Sequence, residues 1–480
     1  MRCDLEAPVV AIRYLLAIPL AEPAPPVSLR LGTTRGTNAL ITRTGARTAL
    51  ITTRGFGDVL EIGYQARPRL FDLTIRKHAP LTCAVVEVEE RVTHEGVVLA
   101  KPQATVLRRQ LQSLRDSGIE SLAICLLHAD RHPAYEQMIE GVARDLGFRE
   151  VSVSHVVAPL PKFVSRADTT VVNAYLNPVL RDYVERLRAA LPGSQLRLLT
   201  SAGGLVAGEH FYGKDSILSG PAGGVLGFSN VAQAAGFERA IGFDMGGTST
   251  DVSRFDGRFE FEYETQKAGV RLVAPTMAIE TVAAGGGSIC RFDGVKFIVG
   301  PESAGADPGP ACYGRGGPLT LTDVNYYLGR IVEERFPFSL DREAAGRRLQ
   351  ELAAEAASTS GEIGKTVKGL DEVAAGFLRI ANAKMGAAIR LVTVAKGANP
   401  ADYVLVAFGG AAGQHACAIA RELGIRQLLC HPQAGVLSAL GIGLANVTRH
   451  RSCGIERLLD EESLAVVQQR LGAMQREAEE

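Results

Sequence analysis

The 480-residue chain is too long for one hydrophobic core and implies about two to four domains. Its 46% apolar content suffices for globular packing, and 52 basic residues balance 52 acidic ones, so no global field favours nucleic acid or an anionic membrane. The eight cysteines are scattered without a Cys-x-x-Cys pair and the histidines lack metal-ligand spacing, which argues against a zinc cluster or secreted disulfide framework and for a reducing cytoplasm.

In chain order, VVAIRYLLAIPLA is apolar, but it carries Arg13 and follows Asp4 and Glu6, so it reads as neither a signal peptide nor a membrane span. LGTTRGTNALI (31–41) and TTRGFGDVLEIGYQARPRLFDL (52–73) place Thr, Asn and Arg groups in glycine-punctuated loops. Arg54 and Arg67 there suit a carboxylate, or are ordinary surface arginines. TALITTRGF (48–56) predicts a strand leading into a loop. Residues 104–118 predict a helix with Leu107, Leu111 and Leu114 on one face, and 119–129 a buried strand. A helix at 133–146, a strand at 150–155, a long helix at about 166–190 and a strand at 197–201 follow. This alternation implies α/β layers with at least partly parallel strands.

SGPAGGVLG (219–227) opens a helix whose small residues permit close packing. IGFDMGGTSTDVSRFDG (241–257) predicts a strand ending at Asp244, a turn at Gly246 and Gly247, and a return strand from Ser249 pinned by Val252 and Phe255. Such a hairpin aims backbone N–H groups and the Thr248 hydroxyl at one point. Asp244 and Asp251 stand close by, a combination suited to phosphate with a hydrated divalent cation. On these residues alone an ordinary polar hairpin remains equally open.

Downstream, AAGGGS (283–288) and GADPGP (305–310) are glycine and proline loops, with Asp307, Cys312 and Asp323 as the nearby reactive groups. Cys312 lacks a local base. Helices at about 343–357 and 371–395 precede a strand at 403–408. That strand runs into AFGGAAGQHA (407–416), where Gly409, Gly410 and Gly413 let another surface approach a helix start. His415 there either polarises a substrate or caps and packs. A strand–helix pair at 426–446 and a terminal amphipathic helix complete the chain. GEHFYGKD (208–215) and GEIGKT (361–366) fail as P-loops, because Asp215 replaces the magnesium-binding hydroxyl in the first and the glycines are too close in the second.

Taken together, GTTRGTNAL (32–40), TTRGFGDVLEIGYQARPRLFDL, LSGPAGGV (218–225), FDMGGTSTDV (243–252), TVAAGGGS (281–288), VGPESAGADPGPACYGRGGPLTLTD (299–323) and AFGGAAGQHACAIA (407–420) resemble the hydantoinase A/ATP-dependent 5-oxoprolinase family. The resemblance runs from about residue 28 over nearly the whole chain. It implies an α/β, actin-like ATPase of the sugar kinase/heat-shock chaperone superfamily, with two lobes around a nucleotide cleft. Residues 1–195 would form an incomplete N-terminal lobe and 196–480 the hydantoinase A-like ATPase lobe, with a C-terminal region starting at about 450.

The implied activity is ATP-dependent opening of a cyclic amide, 5-oxoproline to glutamate or a hydantoin, through phosphorylation of the lactam carbonyl. The implied setting is cytoplasmic glutathione metabolism. By the same resemblance Asp244 and Asp251 are catalytic and hold Mg2+. Gly246, Gly247, Thr248, Gly285, Gly286, Gly287, Ser288, Gly409, Gly410 and Gly413 bind ATP, and Thr33, Thr34, Asn38 and Arg54 contact substrate. A hydantoinase B-like subunit or domain and an oligomeric assembly are implied as partners, with no nucleic acid and no membrane.

Three departures stand out. The family's earlier Asp-x-Gly-Gly-Thr hairpin has no counterpart before Gly32, and the family continues past residue 480, so the isolated chain is expected to be an inactive portion of a larger enzyme. Gly-Gly-Ala-Gly-Gly also becomes Gly-Gly-Ala-Ala-Gly, placing the Ala412 methyl where a nucleotide could approach. The alternatives are an acetone/acetophenone carboxylase-type subunit or a non-catalytic nucleotide-binding remnant.

Overall fold

The computed structural model describes residues 5–19, 22–65, 67, 71–75, 77–358 and 369–479. The segment 361–366 and positions 66 and 68–70 of QARPRLFDL lie outside the described residues. The chain divides into two units. The first comprises Met1–Gly220, Phe261–Thr276 and Ala445–Glu480, and the second Pro221–Glu260 and Met277–Leu444. Among the described residues, no helix is long and apolar enough to cross a membrane.

In the first unit, strands β1 (Thr48–Thr53), β2 (Thr82–Val88), β3 (Ser121–Cys125) and β4 (Glu150–Val153) form a parallel sheet in the order β2-β1-β3-β4. Every residue of β1 and β3 is buried, as a sheet covered on both faces requires. Alternate residues face opposite layers. Ala49, Ile51, Leu122 and Ile124 pack with α1 (Ala104–Asp116) and α2 (Ala134–Asp145), whereas Leu50, Ala123 and Cys125 pack with α3 (Phe163–Ala190). The apolar run that predicts a strand over 119–129 stops sooner, at Cys125. Its continuation is diverted because Leu126 N–H donates to the buried Glu136 carboxylate at 2.9 Å and Leu127 N–H to Thr53 Oγ1 at 2.9 Å.

In the second unit, β5 (Arg239–Met245), β6 (Thr250–Asp256), β7 (Glu280–Val282), β8 (Val404–Phe408) and β9 (Gln427–Leu429) assemble in the order β7-β6-β5-β8-β9. β5 turns back into antiparallel β6, and on its other side runs parallel to β8. One face carries Ile241, Phe243, Met245, Leu405 and Ala407 into a core with Phe377, Met385 and Ile389 of the helix Leu370–Val392. On the other face a side chain at Gly242 would come within 2.3 Å of Phe228, so only glycine lets the helix Ser219–Ala234 lie this close.

Candidate functional site

The hairpin forms as its sequence predicts. Asp244 pairs in register with Asp251, Met245 with Thr250, and Gly246 N–H donates to Ser249 O at 3.1 Å to close the turn. Directly opposed residues of an antiparallel pair project to one face, so the two carboxylates meet. Asp244 is pushed up from its ordinary value to about 6, first by loss of solvent and then by the Asp251 charge, against a smaller opposing effect of Ser438. Asp251 Oδ1 accepts from Thr281 Oγ1 at 2.7 Å, and Asp244 Oδ2 from Ser438 Oγ at 3.4 Å. Ser438 lies outside every motif of the sequence, and Thr281, although it opens TVAAGGGS, has no role assigned by the local pattern. Thr281 stands opposite Asp251 in the ladder, and Ser438 is one small residue in GVLSALG.

The second glycine cluster lies beside the first because β8 runs parallel to β5, with Asp244 in register with Phe408. Ala411 N–H donates to Met245 O at 2.9 Å, tying the loop to the hairpin. Gly409 has φ +83°, and a side chain there would lie 2.4 Å from Asp244 Oδ1. By contrast, a side chain at Gly247, Gly410 or Gly413 would meet nothing. These three and Thr248 are exposed, and among the described residues their backbone N–H groups donate to no protein acceptor. The open donors thus sit at the C-terminal ends of two parallel strands, the usual ligand position in α/β sheets.

Gly285, Gly286, Gly287 and Ser288 occupy a different position from the one expected. All four are buried, and their amides are already used: Gly285 N–H goes to Ser288 Oγ, Gly286 N–H to Gly246 O, Gly287 N–H to Gly247 O and Ser288 N–H to Gly285 O. A side chain at Gly285 would come within 2.6 to 2.7 Å of the backbone of Gly247, Thr248 and Ser249. These residues buttress the hairpin turn from behind. The Ala412 methyl is likewise fully buried in the core with Ile419 and Ala420, so it does not reach toward a ligand.

The other reactive groups are structural. His415 is fully buried, with Nδ1 against Asn382 Oδ1 at 2.7 Å and Nε2 against Asn325 Nδ2 at 3.1 Å, and burial lowers it to about 4. Cys312 is fully buried, and desolvation together with Asp323 raises its thiol far out of the nucleophilic range. Asp323 accepts from the amides of Ala311, Cys312 and Thr320 and from the Thr320 hydroxyl, closing the 311–320 loop.

Of the substrate candidates, three share one place in the first unit. Thr34 occupies the N-cap position of the helix Arg35–Thr42 without a capping bond from its side chain, and exposed Asn38 donates to its hydroxyl at 3.4 Å. Thr33 is buried, with its amide donating to Ser219 Oγ and its own hydroxyl accepting from Arg35 N–H. Arg54 stands apart from them at the end of β1. It pairs with Glu89 at 2.6 Å and lines a cavity of about 330 Å³ together with Glu87 and Glu89. An arginine so flanked offers little net positive charge to a substrate carboxylate, and the structure lends that expectation no support.

Could these groups hold a metal–nucleotide? Two apposed carboxylates, one of them raised by burial and by the charge of the other, form a site that a divalent cation would relieve, and open turn amides are acceptor-seeking. The residues present fit both groups. The fold is α/β and actin-like: the crystal structure of ATP-dependent caprolactamase from Pseudomonas jessenii superposes with a TM-score of 0.81 at 31% identity, over 93% of this chain and 67% of that one. Nucleotide-free acetone carboxylase has the same fold, at a TM-score of 0.74 and 23% identity over 93% of this chain and 66% of that one.

Residues 166–451 match the Hydantoinase/oxoprolinase family and 5–147 its N-terminal region, and the chain belongs to that family. It is 44% identical over 463 residues to 5-oxoprolinase of Saccharomyces cerevisiae, covering 88% of this chain and 36% of that protein. The chain spans 36% to 41% of the length of such curated relatives.

Proposed function

We propose that the chain supplies the nucleotide-binding and phosphoryl-transfer portion of an ATP-dependent cyclic amidohydrolase acting on 5-oxoproline or a related lactam or hydantoin. The observation that carries this is the pair of glycine turns, with open amides, set beside Asp244 and Asp251. Similarity to a 5-oxoprolinase and to a caprolactamase favours a cyclic amide over a ketone as the group activated.

A lactam carbon is a poor electrophile because nitrogen donates into the carbonyl. Transfer of the γ-phosphoryl group to the lactam oxygen, with the bond to ADP breaking, removes that protection. One water then adds at carbon, the C–N bond breaks and nitrogen takes a proton. A second water cleaves the resulting acyl phosphate at carbon, leaving the amino acid, ADP and phosphate. The protein's work in such a transfer is positioning and charge stabilisation.

In this reading the amides of Gly247, Thr248, Gly410 and Gly413 bind phosphate oxygens, Gly246 shapes the turn, and Gly409 admits the loop to Asp244. Asp244 and Asp251 hold Mg2+, which when bound neutralises phosphate charge. Gly285 to Ser288 keep the turn rigid, so its donors need no rearrangement during transfer. Thr34 and Asn38 offer a hydroxyl and an amide for substrate in the first unit. A hydantoinase B-like domain or subunit completes the water-addition steps.

The test uses the enzyme assembled around this chain and 5-oxoproline labelled with 18O in the ring carbonyl. Label is expected in inorganic phosphate. Complete retention in glutamate would overturn carbonyl phosphorylation followed by attack of water at carbon.

A further inference from the structure

Two groups remote in sequence flank the Asp244 carboxylate. Oδ1 lies against Gly409, where a side chain would approach to 2.4 Å. Oδ2 accepts from Ser438 Oγ at 3.4 Å across 194 residues of sequence. Ser438 belongs to the helix Leu437–Leu444. Its hydroxyl lies beside a bare patch of the helix Ser219–Ala234, where a methyl at Gly224 would be 3.2 Å away. The arrangement has a counterpart on the facing strand, because Thr281 Oγ1 donates to Asp251 Oδ1 at 2.7 Å. Each carboxylate therefore receives a neutral hydroxyl donor, and neither hydroxyl brings a charge that would compete with a cation.

The terminal torsion of an aspartate is broad and roughly two-fold, so an unrestrained carboxylate samples many orientations. A donor on one oxygen removes that freedom, as groups behind metal ligands commonly do. We infer that Ser438 is a positioning residue for the metal–nucleotide site: by holding Asp244 Oδ2 it keeps Oδ1 on the side of the Gly409 loop, in the orientation that shares a divalent cation with Asp251. This rests on the nucleotide reading proposed above, and its test separates the two.

ADP is titrated calorimetrically into the 480-residue chain, once in saturating magnesium and once in EDTA. Ser438→Ala should weaken binding about 10-fold in magnesium and leave the EDTA affinity unchanged, and Ser438→Thr, which keeps the hydroxyl, should restore the magnesium-dependent part. Parent-like affinity of Ser438→Ala in magnesium overturns the inference. So does an equal loss in EDTA, which would mark a merely structural serine, and so does a Ser438→Thr chain as weak as Ser438→Ala. If the parent chain itself binds no ADP in either condition, the nucleotide reading falls, and the inference with it.

Discussion

Asp244→Asn is expected to raise the stability of the metal-free protein while weakening its hold on nucleotide. The Asp244 acid is displaced from 3.8 up to about 6, with desolvation as the leading cause and the Asp251 charge second. At about 1.4 kcal/mol per unit, the displacement corresponds to roughly 3 kcal/mol against the ionised form, and partial solvent contact reduces this to about 2 kcal/mol. Between pH 3.8 and about 6 the native state binds more protons than the unfolded chain. Stability therefore falls as pH rises through that window, and the cost is present in full above it.

Asparagine is neutral throughout and escapes this cost. Its melting temperature in EDTA should exceed the parent's by about 2 °C at pH 8, and the two should converge toward pH 4. In magnesium at pH 8 the same variant loses a charge-assisted contact of about 2 to 3 kcal/mol, so its ADP affinity should drop by about 10²-fold. Scanning calorimetry across pH, paired with titration calorimetry, reads both effects. A melting difference that is absent at pH 8, or that stays constant with pH, would refute the electrostatic reasoning. Unchanged ADP affinity would remove Asp244 from the site.

Gly409→Ala should lower the melting temperature and abolish ADP binding, because its φ of +83° is strained for alanine and the methyl would meet Asp244 Oδ1 at 2.4 Å. Gly410→Ala, with open space around it, should leave melting unchanged and weaken ADP alone, as titration of both variants would show. His415, held near 4 by burial, stays neutral in the native state, while the unfolded chain takes up a proton below about 6.5. Acidification through that window should therefore destabilise the parent by up to about 3 kcal/mol and His415→Gln much less, read from melts between pH 7 and pH 4.5. Cys312→Ala should lower melting temperature slightly through lost packing against Tyr326 and Leu340 yet keep substrate turnover in the assembled enzyme, where a loss of turnover would reinstate the thiol as a nucleophile.

Much of the secondary structure was legible because its signals are local. Leu107, Leu111 and Leu114 mark their helix by spacing, and Gly246-Gly247 between alternating strands marks the hairpin. The strand over 119–129 was overread because its end is set by Glu136 and Thr53, which capture two amides from outside the segment. A periodicity argument sees only the apolar run. In the site, the hairpin carboxylates were legible and their restraints were not. Ser438 reaches Asp244 only through the packing of a helix far downstream, and a single serine carries no pattern. His415, Cys312 and Asp323 look reactive by residue type, and only their burial, with the hydrogen bonds that engage both His415 nitrogens and the Asp323 carboxylate, reveals that they are structural.

The glycines of this chain serve two opposed requirements that one letter in the sequence cannot distinguish. Gly242, Gly285 and Gly409 are glycine because another atom already occupies the space of a side chain: the Phe228 ring, the hairpin backbone and the Asp244 carboxylate respectively. Gly247, Gly410 and Gly413 have empty space in that position and exposed amides. Gly285 and Gly409 bring the supporting run and the second loop against the hairpin, Gly242 seats the helix Ser219–Ala234 on the sheet, and the second group keeps the resulting donors uncovered. A site of this type needs both together, since donors that are accessible but poorly supported would reorient as charge develops, and rigid donors beneath side chains would never reach a phosphate. The buried run at 285–288 lies on the supporting side of that division. Its amides are spent on the carbonyls of Gly246 and Gly247, and that expenditure leaves the N–H groups of Gly247 and Thr248 pointing away from the protein's own acceptors. A phosphate held there would be gripped by a turn whose shape is fixed before the ligand arrives.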